Sequence, residues 1–281
     1  MVLQIDASVA LLVRTTLWLS RRVRKHSQLQ RALSEAFGTA VLLFFGAGSV
    51  IATLVLSARK PAAIDGADLM VIASTFGFVI IALVYALGRV SGCHINPAIT
   101  LALAVTKRFA WRDVPIYWLA QLVGAVVGSL AVWIVFGQRA IDLGLGQTSF
   151  DSGTTGYLAA ALGELIGTFV LVFAVLGIVD PNAPTQMSGI VIGLVVAAID
   201  LMLIPATGGA INPARALGPE IVAAIGGGTT HWIQYVPAYL LPELAGGCLG
   251  ALLYDYLAVP RLVTSAPIVH AVTETSEGSR A

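Results

Sequence analysis

Charge is what this sequence has least of. Of its 281 residues, 11% are Asp, Glu, Lys or Arg and 57% are hydrophobic; an average soluble domain carries about 25% charged residues. A soluble core cannot bury that much apolar sequence, so a lipid bilayer is the expected solvent. Sixteen basic against fifteen acidic residues leave a net charge of +1, which argues against nucleic acid or another polyelectrolyte as a partner. Cysteine is equally scarce. Cys93 and Cys248 alone build no disulfide framework and no metal-ligand spacing, so neither a metal nor a cofactor is expected. A cleavable signal peptide is not expected either. The first apolar stretch, residues 7–19, is broken by Arg14, runs into Arg21, Arg22, Arg24 and Lys25, and lacks a small-residue cleavage site. No Ser/His, paired-Asp or His-Glu-X-X-His constellation stands at helical spacing, which speaks against an enzyme.

What the chain has in quantity is long apolar runs. A bilayer core takes ~20 apolar residues per helix, and six segments qualify: 32–57, 68–88, 114–136, 157–179, 186–204 and 235–258. Two shorter runs, 96–106 and 212–225, follow the second and fifth spans and are too short to cross, so they read as re-entrant half-helices. The expected fold is therefore an all-α membrane protein of six transmembrane helices and two half-helices. Its domains read as a basic N-terminal tail over 1–31, a channel domain over 32–262 and a C-terminal tail over 263–281. The N-terminal tail suits either an amphipathic surface helix or a disordered basic segment.

Orientation follows from Lys and Arg. With six spans, twelve basic residues fall on the side of the termini and three (Arg59, Lys60 and Arg139) on the other, which places both termini in the cytoplasm. The chain also repeats itself. Ser34-Glu35-Ala36-Phe37-Gly38-Thr39 is echoed by Gly163-Glu164-Leu165-Ile166-Gly167-Thr168, and Asn96-Pro97-Ala98 by Asn212-Pro213-Ala214. Three spans per half force the repeats, 32–136 and 157–258, into opposite orientations, with a site expected at the midplane.

Asn before Pro is a helix start, with Asn as the cap and Pro in the first turn. Two such starts entering from opposite faces would meet near the bilayer centre. Each presents unpaired N–H groups and about half a positive charge, a barrier to cations, while the Asn amides orient a passing oxygen and interrupt a proton wire. The approach segments Gly88–Ile95 and Pro205–Ile211 are expected to be extended, with carbonyls lining a wet cavity. Glu35 and Glu164, costly in a membrane, are assigned to hydrogen bonds that hold these loops, with a proton relay as the alternative. His94 is assigned structural or pore-lining hydrogen bonding, with pH gating as its alternative.

On these stretches, and on Tyr254-Asp255 closing the last span, the sequence resembles the aquaporin or major intrinsic protein family over residues 32–262. The resemblance implies a homotetramer with one pore per subunit. It also implies a selectivity filter placed by spacing from the two motifs: Phe76, Asp200, Gly209 and Arg215. Phe76 and Arg215 match the family's pattern. Asp200 stands where water-selective members carry His and glycerol facilitators Gly; Gly209 replaces a larger residue, and Ala216 follows the arginine where facilitators carry Asp. These departures imply a filter wider than a pure water pore. Asp200 either pairs with Arg215 or turns away to backbone or water.

Other residues carry blander expectations. Cys93 either faces the pore or packs as a small hydrophobe, and Cys248 packs. Gly124 with Gly128, and Gly246 with Gly250, read as close helix packing; Trp232 and Tyr235 read as interface anchors; Glu243, inside the last span and without a family counterpart, is assigned either to a subunit contact or to the outer vestibule. The function implied is passive passage of water and small neutral solutes (polyols such as glycerol, urea, metalloid acids) through a plasma membrane. Short loops point to a bacterial one. A coupled secondary transporter and a closed structural member of the family are the alternatives.

Overall fold

In the computed structural model, residues 26–57 and 64–258 are described. Residues 1–25 of the N-terminal tail, with any surface helix there, the basic pair Arg59-Lys60 and the C-terminal tail lie outside the described residues. Six helices are long and apolar enough to cross a bilayer: α1 (Gln28–Ser57), α2 (Gly66–Ser91), α4 (Val114–Phe136), α6 (Tyr157–Val179), α7 (Ser188–Thr207) and α9 (Trp232–Ala258). Two short helices, α3 (Pro97–Val105) and α8 (Pro213–Ile225), follow α2 and α7, and a one-turn α5 (Gln138–Asp142) lies in the connector between repeats.

The ends of these helices show why they start and stop where they do. α1 begins four residues before the expected 32. Ser27 Oγ accepts the Gln30 N–H and Gln30 returns a bond to the Ser27 N–H, a reciprocal cap. The charge of Arg31 is held by Asp113 at 3.1 Å, so a polar first turn is tolerated. α2 starts on a capping box built by Asp65 and Asp68. It runs to Ser91 and stops at Gly92, which adopts a left-handed φ of 92°. α7 carries Pro205 inside its last turn and stops at Gly208, φ 81°. The extended approach segments are therefore shorter than expected: residues 88–91 and 205–207 are helical, and only 92–95 and 208–211 remain irregular. A proline inside the final turn forfeits one bond, whereas a left-handed glycine ends the helix.

The spans pack pairwise, α1 on α4, α6 on α9 and α2 on α7. The glycine pairs make this possible. A Cβ at Gly124 or Gly128 would lie far inside contact distance of the Ala36 or Ala40 carbonyl; Gly246 and Gly250 stand in the same relation to Leu165 and Phe169. The half-helices cross over: α3 packs on α9 of the second repeat, and α8 on α4 of the first. Each half-helix is thus anchored by the other repeat. Large apolar side chains such as Leu56, Phe78, Ile134 and Met202 point outward, exposed, as a lipid-facing surface requires. Trp232 is among the exposed residues. Tyr235 is not an interface anchor of the expected kind: its hydroxyl turns inward and donates to the Pro213 carbonyl at 3.2 Å.

Candidate functional site

The site is built where α3 and α8 begin. Asn96 and Asn212 are N-caps in extended conformation, followed by proline at the first position. Each Oδ1 accepts from its own helix, Asn96 from the Ala98 N–H at 2.8 Å and Asn212 from the Ala214 N–H at 3.1 Å. With its oxygen so committed, each side chain directs its amide across the repeat boundary. Asn96 Nδ2 donates to the Ile211 carbonyl at 2.7 Å and Asn212 Nδ2 to the Ile95 carbonyl at 2.9 Å. These reciprocal bonds bring the two helix N-termini to one place. An amide nitrogen has two hydrogens, so each Asn keeps a second donor.

The loops leading to the asparagines are alike in backbone. Cys93 and Ile95 have φ of 51° and 41°, and Gly209 and Ile211 have 60° and 44°. A left-handed β-branched residue is strained and persists only when its surroundings fix it. Two buried carboxylates do so. Glu35, on α1, accepts the His94 N–H at 3.0 Å and the Ile95 N–H at 2.6 Å, with Ser91 Oγ at 2.6 Å and Gln121 Nε2 at 2.8 Å. Glu164, on α6, accepts the Ala210 N–H at 3.1 Å, the Ile211 N–H at 2.7 Å and Thr207 Oγ1 at 2.6 Å. Both are fully buried. Tyr117 and Tyr239 close the helix ends by donating to the Ser91 and Thr207 carbonyls, each at 2.7 Å. Between these fixed points the carbonyls of residues 92–94 and 208–210 accept no hydrogen bond among the described residues. His94 lies 3.1 Å from Thr100 Oγ1 through its Nδ1 and packs against Phe109 and Tyr117.

A cavity of about 870 Å³ runs along these loops, lined among others by His94, Asn96, Asn212, Cys93, Asp200 and Arg215. A second, of about 330 Å³, lies beyond it, lined among others by Gly146, Gln147, Thr229 and His231. Arg215 borders both. Its Nη1 donates to the Gly146 carbonyl at 2.8 Å and its guanidinium lies 5.0 Å from the Phe76 ring centroid. Asp200 lies on the wall of the first cavity with Arg215. No N···O contact within 4.0 Å joins the two, so the bidentate pair considered from the sequence does not form. Arg215 is instead directed to the Gly146 carbonyl, and Asp200 Oδ2 has no hydrogen-bond partner. A Cβ at Gly209 would fall 3.1 Å from Asp200 Oδ1; the glycine leaves that carboxylate its room.

Sequence reasoning did not find Gln121, Tyr117, Tyr239, Thr207 or the Gly146 carbonyl. The signal for most of them is the repeat itself. Carrying the duplication into the third span of each half pairs Tyr117 with Tyr239, as Gly124 pairs with Gly246.

Six spans, two half-helices meeting tip to tip and a cavity past both tips define a membrane channel or facilitator architecture. The family model described as "Major intrinsic protein" matches residues 22–254, and the chain belongs to that family. Over 243 residues it is 41% identical to aquaporin AqpM of Methanothermobacter marburgensis, covering 82% of this chain and 98% of that protein. It is 38% identical over 235 residues to glycerol uptake facilitator protein 3 of Lactiplantibacillus plantarum, covering 80% and 95%. The X-ray structure of the aquaglyceroporin from Plasmodium falciparum superimposes with a TM-score of 0.73 at 25% identity, covering 83% of this chain and 98% of that one.

Proposed function

We propose that the chain is a passive pore for water and glycerol-sized neutral solutes, conducting along the larger cavity, between the two asparagines and past Arg215. The observation that carries this reading is the pair of reciprocal bonds, Asn96 to Ile211 and Asn212 to Ile95, set on the wall of that cavity. In it the second hydrogen of each Asn Nδ2 meets the oxygen of a passing solute, and the free carbonyls of 92–94 and 208–210 accept its hydrogens in turn. Two helix N-termini at one point repel cations. An oxygen accepting from both asparagines has its lone pairs engaged and cannot relay a proton.

Arg215, Phe76, Asp200 and Gly209 form the filter in this reading. With no ring at 200 or 209, the passage admits polyols as well as water. Names among the relatives support both solutes, an aquaporin and a glycerol uptake facilitator. The pore sits in a multi-pass homotetramer in the cell membrane, with both termini cytoplasmic as the Lys and Arg distribution favours. Stopped-flow volume changes of proteoliposomes test it. Water and glycerol fluxes with low activation energy, indifferent to ion gradients, are expected. Flux that requires an ion gradient would replace the pore with a coupled carrier.

A further inference from the structure

Behind the asparagines the two repeats share the same scaffold. Tyr117 and Tyr239 make equivalent bonds to Ser91 and Thr207. Gly124 and Gly128 abut α1 as Gly246 and Gly250 abut α6. α4 and α9 therefore stand in register at a constant offset of 122 residues, and on that register Gln121 falls on Glu243. The partners of the two differ. Gln121 Nε2 donates to Glu35 Oε2 at 2.8 Å, so that Glu35 accepts four donors. Glu164 accepts three. Its Oε2, the oxygen that corresponds to the one bound by Gln121, has the Ile211 N–H alone.

Glu243 is 0% exposed and neither of its carboxyl oxygens has a hydrogen-bond partner. The charged and titratable groups around it are Glu164 on α6, Arg215 on α8, and Tyr235 and Tyr239 on its own helix; the Asn212 backbone N–H also faces it. α3, the remaining helix against α9, brings no titratable side chain. Arg215 is held on the pore side by Gly146 and Phe76 and makes no ion pair with Glu243 among the described residues.

We infer that Glu243 is a positioning residue for conduction: as a neutral carboxylic acid it donates its O–H to the open Oε2 of Glu164 and so holds the loop that sets Asn212. The register sets Glu243 towards Glu164 as Gln121 stands to Glu35; two buried carboxyl groups sharing one site cannot both remain charged, and one proton between them would give Glu164 the donor it lacks. A carboxylic acid offers one donor and one acceptor, enough to meet Glu164 with the first and the Asn212 N–H with the second. The neighbouring substitution fits as well. In the first repeat the amide of Gln121 also reaches Thr100 Oγ1 at 3.0 Å. The matching position in the second repeat is Ala216, which has no acceptor for a second N–H. A side chain with a single hydrogen is what that site accommodates.

The experiment uses the full-length protein. Infrared absorption of reconstituted wild type and E243Q, each in H2O and D2O, reads the C=O band of a protonated carboxylic acid by its isotope shift. One such band should vanish in E243Q. Water flux in the same vesicles should fall less in E243Q, which keeps a donor for Glu164 but leaves its second N–H unpaired, than in E243L, which keeps the volume, loses the donor and should fall several-fold. An unchanged carboxylic acid region in E243Q would mean that Glu243 is ionised, and wild-type flux in E243L would mean that it positions nothing; either overturns the inference. If E243L does not fold, Q121E serves: it should add a carboxylic acid band in the first repeat, and its absence would defeat the register. The inference rests on the pore reading through the flux arm alone. Wild-type vesicles that pass no solute would sink that reading and leave the infrared comparison standing.

Discussion

Replacing Glu35 by leucine is the most searching perturbation of the loop scaffold. The carboxylate accepts four donors, but they are not equally committed. Ser91 has a rotatable hydroxyl, and Gln121 keeps Thr100 as a second partner at 3.0 Å. The His94 and Ile95 N–H groups have no such freedom, because they belong to a loop with left-handed Cys93 and Ile95 that cannot turn without moving Asn96. Each buried donor left unpaired costs ~1–3 kcal/mol, so E35L should lose about 2–6 kcal/mol. At about 2–4 °C per kcal/mol for a domain of this size, that lowers a thermal midpoint by roughly 4–24 °C. E35Q retains one acceptor oxygen and should fall between. Melting in detergent gives the stability, and stopped-flow light scattering on proteoliposomes gives the water flux, which should drop with loss of the loop geometry in the order wild type, E35Q, E35L. An E35L protein within about 1 kcal/mol of wild type, conducting normally, would refute the idea that this carboxylate holds the loop.

Arg215→Ala removes the side chain that, among the described residues, alone borders both cavities; leakage of solutes larger than glycerol should rise in vesicle shrinkage assays, and an unchanged solute series would remove Arg215 from the constriction. Asp200→His places a ring on the wall of the cavity that Arg215 also lines; the glycerol-to-water flux ratio should fall, and a constant ratio would take Asp200 out of the filter. Gly124→Leu drives a side chain into the Ala36 carbonyl, an overpacking worth at least ~1–3 kcal/mol; melting should show it, and a midpoint equal to wild type would mean that α1 and α4 separate freely.

The spans were legible because a bilayer demands twenty consecutive apolar residues and little else supplies them. The half-helices were legible because Asn-Pro sits before apolar runs too short to cross. The ends of α1 and α7 were not. Arg31 reads as a tail residue until Asp113, 82 positions away, is seen to hold it, and Pro205 reads as a stop until Gly208 is seen to be the stop. The pairing of Asp200 with Arg215 looked plausible from chemistry alone. It was decided by a carbonyl at Gly146, which no spacing rule connects to Arg215. Contacts across 69 or 86 residues, such as Arg215 with Gly146 or Gln121 with Glu35, come from the fold and leave no local trace.

The carbonyl that holds Arg215 belongs to neither half of the duplication. Gly146 lies in the linker joining them, with a φ of 67° and so close to α1 that a Cβ would come within 2.7 Å of the Ala47 carbonyl. The aim of the guanidinium is consequently set by a strap that lies outside the duplication and is pinned to α1 at Gly146. Exchanging residues 143–149 between relatives should retune which solutes pass without altering any wall residue contributed by the two halves.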